Sequence, residues 1–378
     1  MGKNPRNKEY TKEYNRKMLL QLLRNSSLSR ADLARELGLT RAATSLIAED
    51  LLQEGLIEET TAKGTQVGRT PIPLKLRSDA GYAVGVYLNR DGCTAGITSM
   101  NGELLIKTKL HLNGSSRSKK LIPLSEAIQA MIDKAQIPSK KIIGIGISAP
   151  GPLDAESGRI LNPPRFDLWH NTDICSFLTT QLHIPVYLEN NATCLARYNL
   201  GKLESNGSKD FLLLLVDSGI GSGIISNGDI LKGSGYFTSE LGHTSINYHG
   251  RLCECGNIGC LEAYAAIPNL LSDSKYVSWV ELIDHVNEDD ARILLNKEAD
   301  YLAAGIITAA NMVNIDTVLL AGDLLYGIQS IAPLLEDRVN RRILRRDTLR
   351  IRVLPSCAGP DITVQSAANI AFGRYLMV

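Results

Sequence analysis

The 378-residue sequence predicts an α/β protein with a small helix-turn-helix head in front of a two-lobed body. Three observations support this fold class: apolar residues recur at helical spacing near the start, strand and helix patterns alternate from residue 81 onward, and a histidine and cysteine cluster interrupts the second half. We place the head at residues 1–77 and the body at residues 78–378.

The charge is distributed unevenly between these two parts. The chain has a net charge of +1, but residues 1–77 contain 14 Lys and Arg against 9 Asp and Glu. The body is therefore slightly acidic, and a basic head is typical of a domain that contacts a polyanion such as DNA. The sequence contains neither a basic-then-apolar leader nor an apolar run that could span a bilayer, so we expect a cytoplasmic protein with no membrane partner.

The head has the helical pattern of a helix-turn-helix unit. A first helix runs through Leu19 and Leu23, and a second begins at the N-cap Ser29 and ends at Gly38. Thr40 caps a third helix, which we expect to bury Ala43, Ile47, Leu51 and Leu52. The third helix would then present Arg41, Thr44 and Ser45 outward near its N-terminus, where a recognition helix contacts base edges.

A glycine-rich hairpin follows the third helix. The stretch TTAKGTQVGRTPIPLKL predicts two short strands around a tip, and Lys63 and Arg69 of this wing could reach phosphates or a minor groove. The residues that we expect to contact DNA are Thr40, Arg41, Thr44, Ser45, Lys63 and Arg69. A three-helix head can instead be only a dimerisation or protein-docking module.

The body alternates buried strands with helices. Strands are predicted at YAVGVYL, CTAGITSM, ELLIKTKLHL, KIIGIGISAP, 182–188, FLLLLVDSGIGSGII and 317–322, with a helix near 123–135. Such alternation is typical of two α/β lobes with a cleft between them. The glycines Gly219, Gly221 and Gly223 are equally compatible with a phosphate-binding turn and with a tight hairpin.

The second half contains a predicted metal site. Between Glu240 and Glu262, one histidine and three cysteines follow the pattern H-x9-C-x-C-x4-C, and we expect them to bind one structural zinc ion per chain: His243, Cys253, Cys255 and Cys260. Four protein ligands leave no position for a catalytic water. The alternative is a disulfide with one spare thiol, which is uncommon in a reducing cytosol.

Several body motifs together resemble the ROK family of repressors and sugar kinases. These are ELGH, CECGNIGCLE, IGIGISAPGPLD, VDSGIGSGIISNGDILKGSG and LLAGDLL, in the same order as in the family, and with the head the chain is similar to its repressor branch. The resemblance implies an actin-like, ribonuclease-H-like fold of the sugar-kinase type. It also implies a first lobe at about 78–190 plus a C-terminal helix at 365–378, and a second lobe at about 191–364.

Two departures from the family pattern concern the kinase reaction. Kinases of the family hold phosphates with an Asp-x-Gly-Gly-Thr turn, but the corresponding residues here run from Tyr87 through Arg90 to Asp91, without either glycine. Asn191 occupies the position of the kinase general base, and an amide cannot accept the proton of a sugar hydroxyl. We therefore expect no catalytic residue and no enzymatic activity.

The resemblance also assigns sugar contacts. They fall on Asn190, Asn191, Glu240, His243, Glu262, Gly151 and Asn162. Carboxylates and amides in a desolvated cleft can discriminate patterns of hydroxyl groups. His243 would have two roles, because one ring nitrogen can bind the metal while the other faces a hydroxyl.

These expectations lead to one principal functional hypothesis. The chain would be a DNA-binding transcriptional repressor of carbohydrate-metabolism genes that binds operator DNA as a homodimer and responds to a sugar effector. Two alternatives are a sugar kinase of the same family and a regulator that responds to a protein partner while its cleft is vestigial. The kinase alternative is supported by the glycine turn near residue 219 and opposed by Tyr87 and Asn191.

Overall fold

The computed structural model describes residues 8–60, 72–90, 92–110, 118–203, 209–233, 239–357, 359 and 361–376. The helices in these ranges are α1 (Lys8–Asn25), α2 (Arg30–Leu37), α3 (Arg41–Gln53), α4 (Ser118–Lys134), α5 (Ile174–Leu182), α6 (Asn191–Leu203), α7 (Glu262–Ala265), α8 (Ile267–Leu271), α9 (Trp279–Asp284), α10 (Asp289–Met312), α11 (Ile328–Arg342) and α12 (Ile362–Leu376). Within these ranges, no helix combines the length and the apolar composition that crossing a membrane requires.

The strands form four sheets. They are β1 (Leu28–Ser29), β2 (Ile57–Glu59), β3 (Pro73–Leu76), β4 (Tyr82–Asn89), β5 (Gly92–Ser99), β6 (Leu104–Leu110), β7 (Ile142–Ala149), β8 (Leu153–Asp154), β9 (Arg159–Ile160), β10 (Thr172–Asp173), β11 (Val186–Asn190), β12 (Phe211–Val216), β13 (Ile220–Ser226), β14 (Asp229–Ile230), β15 (Thr317–Gly322) and β16 (Arg352–Pro355). The strand orders are β1-β3-β2, β10-β9-β8, β11-β7-β4-β5-β6 and β14-β13-β12-β15-β16.

The head is a winged helix-turn-helix, as the sequence predicts. Ser29 caps α2 through a capping box with Asp32, in which each residue accepts a hydrogen bond from the other's backbone N–H at 3.2 Å. Gly38 ends α2 with φ of 62°, a left-handed conformation that glycine adopts at little cost. Thr40 then caps α3, because its hydroxyl accepts from the backbone N–H of Ala43 at 3.2 Å.

The rotation of α3 differs from the expected one. Its buried face consists of Thr44, Ile47, Ala48 and Leu51, and Ala43 is only half-buried. The predicted outward orientation of Thr44 is therefore wrong, since this side chain is fully inaccessible to solvent. Alanine occurs at both buried and exposed positions, so the alanines of α3 do not show which side of the helix faces the core. The sequence pattern therefore did not distinguish a buried face made of residues 44, 47, 48 and 51 from the adjacent face of the helix.

The wing strands pair as expected. Strands β2 and β3 are antiparallel, with Ile57 opposite Leu76 and Glu59 opposite Leu74. The tip of the predicted wing, including Lys63 and Arg69, lies outside the described residues. The position of these two basic side chains therefore stays a prediction.

The first lobe is built on the sheet that contains β4 and β7. Helix α4 begins at Ser118, a few residues earlier than predicted, and the helix expected near 365–376 is α12. Helix α12 lies directly on the sheet: a side chain added at Gly85 or Gly146 would collide with the backbone carbonyls of Val364 and Ala367. The glycines in YAVGVYL and KIIGIGISAP thus permit close packing of the last helix.

The second lobe surrounds the sheet that contains β12 and β15. Helices α10 and α11 cover one face through a large apolar core that includes Leu302, Ile306 and Leu335. Helix α6 covers the other face, where Ala192 and Ala196 pack with Phe211. Because β11 ends at Asn190 and α6 begins at Asn191, the chain passes from one lobe to the other between these two residues.

The head shares an apolar core with the first lobe. Leu19 and Leu23 of α1 belong to the same buried cluster as Met100, Phe372 and Leu376 of the body. A head that is fixed by burial of apolar surface can respond to rearrangement of the body.

Candidate ligand-binding cleft and metal cluster

The cleft between the lobes brings together most of the residues predicted to bind a sugar. It is a cavity of about 80 Å³ whose lining includes Gly151, Asn190, Asn191, Glu240, His243 and Glu262. Asn162 is exposed and is not part of this lining, which instead contains the nearby Pro164. Asn162 thus does not join the other six residues at the cleft, and a sugar contact by this amide stays a prediction.

The two asparagines at the lobe junction have mainly structural hydrogen bonds. The side-chain oxygen of Asn190 accepts from the backbone N–H of Ala192 at 2.9 Å and so caps α6. Asn191 is buried; its side-chain oxygen accepts from Ser148 at 2.6 Å and its NH₂ group donates to the carbonyl of Leu88 at 3.2 Å. The Asn191 amide fixed in this way is not a base. Its carbonyl oxygen and its NH₂ group each retain one hydrogen-bonding position for a ligand.

Two carboxyl groups lie on the opposite side of the cleft. Buried Glu262 accepts from the backbone N–H of Ile220 at 2.8 Å through one oxygen. Glu240 is open to solvent through the cleft, yet the surrounding protein desolvates it and raises its pKa, and this effect exceeds the opposing influence of His243. Two carboxyl groups of this kind can bind hydroxyl groups as acceptors, and a protonated Glu240 can also donate.

An arginine from the first lobe occupies the other end of the cleft. Arg90 follows β4 and donates through Nη1 to the backbone carbonyl of Ser218 at 2.7 Å, while its Nη2 lies 3.7 Å from Glu262. The Arg90 guanidinium is also so close to Gly219 that a Cβ atom there would lie 3.0 Å from Nη1. Asp91, which completes the expected replacement of the phosphate turn, lies outside the described residues.

The glycines of the second-lobe turn have separate explanations. A Cβ at Gly223 would lie 2.8 Å from Cβ of Ala196, and one at Gly221 would lie 3.1 Å from Cβ of Ala192. These two glycines therefore allow α6 to pack on β13. Gly219 and Gly221 both line the cleft, and the backbone N–H of Gly219 donates to Asp217 at 3.1 Å. Helix packing thus accounts for Gly221 and Gly223, whereas Gly219 lies in the turn between β12 and β13.

The predicted metal ligands are adjacent in space. Each of the four residues offers one ligand atom, and these atoms all lie within 4.8 Å of one another: His243, Cys253, Cys255 and Cys260. The sulfurs of Cys255 and Cys260 are 3.7 Å apart, far beyond the roughly 2.05 Å of a disulfide. The cluster can hold a metal ion.

Two further features fit a cation at this cluster. The ring Nδ1 of His243 lies 3.7 Å from the Cys253 sulfur, while the same residue lines the cleft. Burial and the neighbouring thiols raise the pKa of Cys260 to about 12, and a bound cation would favour its thiolate instead. Gly259 permits the tight loop, since a side chain there would collide with the backbone of Asn247.

The outward face of the head helix α3 contains three of the predicted DNA-contacting residues. Arg41 and Ser45 are exposed, and Thr40 is exposed while it caps the helix. Sequence reasoning missed Leu46, which is 70% exposed on the same face. An apolar side chain there can contact a thymine methyl group in a major groove. The sequence could have indicated Leu46, because it directly follows Ser45 in the same helix.

The comparisons with known proteins assign the chain to a family. The family model described as the ROK family matches residues 83–371, and one described as winged helix-turn-helix DNA-binding matches residues 12–58. The chain therefore belongs to the ROK family, and the family resemblance that the sequence motifs indicated is confirmed.

Similar proteins of known name include sugar repressors. The xylose repressor of Bacillus spizizenii is 27% identical over 97% of both chains. The N-acetylglucosamine repressor of Escherichia coli O157:H7 is also 27% identical, over 87% of this chain and 85% of the repressor.

Solved structures confirm the predicted fold class. A ROK family transcriptional regulator, a homologue of the E. coli MLC protein, matches with a TM-score of 0.81 at 24% identity, covering 97% of this chain and 96% of that one. A ROK hexokinase from Thermus thermophilus matches with a TM-score of 0.65 at 27% identity, covering 78% of this chain and 99% of the hexokinase. The head thus lies in front of a kinase-type body.

Proposed function

We propose that this protein is a sugar-responsive, DNA-binding transcriptional repressor of carbohydrate-metabolism genes that does not phosphorylate its ligand. The observation that carries the proposal is a difference between the two ends of one cleft. Polar side chains suited to hydroxyl groups lie at one end, and Arg90 packs against Gly219 at the other. The winged helix-turn-helix head and the repressor names of its relatives support the same function.

The proposed effector site uses side chains from both lobes. Glu240, His243 and Glu262 would accept or donate hydrogen bonds to adjacent hydroxyls, while Asn190 and Gly151 bound the opposite side. Desolvated polar groups of this type discriminate strongly between sugars, because a missing hydroxyl leaves one of them unpaired. D-xylose and N-acetylglucosamine are the first effectors to test, since these sugars appear in the names of the relatives.

We further propose that the metal cluster holds one zinc ion with a structural role. Three thiolates and one imidazole are a ligand set that zinc prefers, and four protein ligands close the site to water. The ion would supply charge compensation for the thiolates and fix the His243 ring. With Nδ1 directed to the cluster, Nε2 of His243 is left to hydrogen-bond the sugar.

The response to the sugar would depend on two arrangements of the lobes. An effector shifts an equilibrium only if it binds one state more tightly, and a ligand held by Asn190 and Glu262 contacts both lobes. In a homodimer, a change in lobe closure would alter the spacing of the two heads, and therefore their fit to operator half-sites.

Calorimetric titration of the full chain with a panel of sugars, with and without operator DNA, tests this function. We expect one sugar to bind and to change operator affinity. We also expect Arg41→Ala to weaken operator binding by about tenfold without changing sugar affinity, because a phosphate or base contact is lost. The buried Thr44 provides a matched control, since Thr44→Val should leave DNA binding intact.

A sugar kinase is the second candidate, because Asp217 and Gly219 retain a turn at the cleft and similar structures include kinases. Incubation of the wild-type protein with ATP, magnesium and the sugar that binds separates the two functions. Formation of sugar phosphate at a rate typical of kinases would contradict the repressor-only proposal. Sugar binding without turnover, together with sugar-dependent operator binding, would support it.

A further inference from the structure

A second cavity lies where the head meets both lobes. It has a volume of about 240 Å³ and is lined by α1 of the head, by α12 of the first lobe, and by α6 and Lys232 of the second lobe. Its charged lining residues are Arg24, Arg197, Lys202, Lys232, Arg374 and Glu189. Five cationic side chains and one carboxyl group therefore line this cavity, which shares no lining residue with the Glu240 and Glu262 cleft.

Arg24 is the most informative of these residues. Its Nε donates to the carbonyl of Met100 at 2.9 Å, and its guanidinium lies 4.6 Å above the Phe372 ring. Neither Nη group has a hydrogen-bond acceptor in the described parts of the chain, and no carboxylate there forms an ion pair with Arg24. Desolvation lowers the pKa of Arg24 to about 10, so a charged guanidinium is held at the cavity wall without a compensating anion.

The remaining charges do not provide that anion. Burial raises the pKa of Glu189, and its carboxylate lies 3.8 Å from Arg197, which also approaches Asp229 at 3.6 Å. Lys232 and Arg374 act on Glu189 electrostatically and oppose the rise of its pKa, but neither forms a direct ion pair with a carboxylate of the described residues. Within the described residues, Arg24, Lys232 and Arg374 therefore bring more positive charge to this cavity than direct ion pairs neutralise.

We propose that this cavity binds a small phosphorylated metabolite, whose phosphate oxygens accept hydrogen bonds from Arg24, Lys232 and Arg374. Arginine and lysine are the side chains that recognise phosphate most strongly, and their charge-assisted hydrogen bonds are about twice as strong as neutral ones. The cavity admits a compact phosphorylated compound but is smaller than the usual 300–1,000 Å³ of a drug-sized site.

The position of the cavity gives the ligand a regulatory consequence. Arg24 belongs to the head, Arg374 to the last helix of the first lobe, and Lys232 to the second lobe. A bound anion would connect these three parts and fix α1 against the body. The head would then respond to a phosphorylated metabolite through a site that is independent of the sugar cleft, as a second input.

Calorimetric titration of the full chain with inorganic pyrophosphate, at constant ionic strength, tests the site. Ribose 5-phosphate and ribose serve as a matched pair that differs only in the phosphate group. We expect pyrophosphate and ribose 5-phosphate to bind and ribose not to bind at this site. The double variant Lys232→Ala, Arg374→Ala should weaken binding at least about tenfold, because two charge-assisted contacts are lost.

The control is a second double variant, Arg292→Ala, Arg341→Ala, which removes two exposed arginines far from the cavity and should bind pyrophosphate as the wild type does. Amide hydrogen exchange in α1 should slow when pyrophosphate binds. The proposal is overturned if the wild type does not bind either phosphorylated probe, or if the cavity variant binds them as tightly. It is also overturned if the cavity variant loses operator binding without any anion present, because the cations would then contact DNA instead.

Discussion

The two ends of the cleft differ in how much of a kinase site they retain. At the sugar end, Glu240, Glu262 and His243 converge beside a metal cluster, and each has an atom available to a hydroxyl group. At the nucleotide end, Arg90 donates to the Ser218 carbonyl and packs against Gly219. One end of the cavity is suited to binding, and the other is filled by protein.

Under the proposed function, this difference means that sugar recognition and phosphoryl transfer are separable within the fold. The groups proposed to bind hydroxyls belong to the second lobe and the loop of the candidate metal cluster, whereas Tyr87 and Arg90, at the position expected for the phosphate turn, lie at the end of β4 in the first lobe. Substitution at that position can remove phosphate positioning without disturbing the sugar contacts. Four predictions, in order of decreasing effect, test whether the two ends are independent.

Loss of a metal ligand should have the largest effect and should be confined to the sugar end. Cys260→Ser removes a fully buried ligand, so we expect loss of the bound metal, loss of sugar binding and a decrease in the free energy of unfolding of about 4 kcal/mol. Elemental analysis, calorimetry and chemical denaturation measure the three effects. Cys357→Ser, outside the cluster, is the control and should change none of them beyond about 1 kcal/mol. Full metal content in Cys260→Ser would show that the sugar end does not depend on this cluster.

Removal of the sugar-end carboxylate that lies nearest Arg90 should have the next largest effect. Glu262→Ala leaves the Ile220 N–H without its acceptor and removes a ligand contact, so we expect sugar affinity to fall roughly 100-fold, or about 3 kcal/mol. Operator binding without sugar should persist. Glu262→Gln retains an acceptor for Ile220 and should lose less affinity. Equal sugar affinity in the wild type and Glu262→Ala would place the ligand elsewhere.

A moderate effect is expected when the nucleotide end is opened. Arg90→Ala removes a charge-assisted hydrogen bond between the lobes and should lower the free energy of unfolding by about 1.5 kcal/mol, while sugar binding is retained. Thermal unfolding and calorimetry measure these two quantities. Arg159→Ala is the control, because Arg159 lies at the surface 3.8 Å from Asp173. Its loss should have little effect on either quantity. If Arg90→Ala abolished sugar binding, the two ends would be coupled rather than independent.

The smallest effect on turnover is expected from restoring the general base alone. Asn191→Asp places a carboxylate where Ser148 can still donate, but the NH₂ donor to Leu88 is lost and the phosphate turn is still absent. Incubation with ATP, magnesium and the bound sugar should therefore give no sugar phosphate above the wild-type background. Efficient turnover in this variant would mean that the nucleotide end still positions ATP despite Arg90.

Local patterns were sufficient for the parts of this protein that short-range contacts determine. The helix-turn-helix boundaries follow from Ser29, Gly38 and Thr40, whose capping and left-handed conformations depend on neighbours within a few residues. The metal ligands could be recognised because Cys253, Cys255 and Cys260 lie within one loop. Spacing along the chain is a good guide to distance only over such short segments.

Burial and orientation were less predictable where several solutions satisfied the same pattern. Thr44 is turned into the core because the apolar stripe of α3 is shifted by one position, and alanines do not distinguish the two possibilities. Asn162 is exposed and does not line the cleft, although the family resemblance suggested a contact.

The sequence by itself determined the winged helix-turn-helix head, the alternating lobes, the metal-ligand spacing and the absence of a base at Asn191. Only the tertiary structure decided that Arg90 reaches Ser218, 128 residues away, and that Arg24 meets Lys232 and Arg374 around one cavity. The physical reason is that residue type and spacing govern local backbone conformation, whereas contacts between distant segments depend on how the packed sheets and helices are arranged in space.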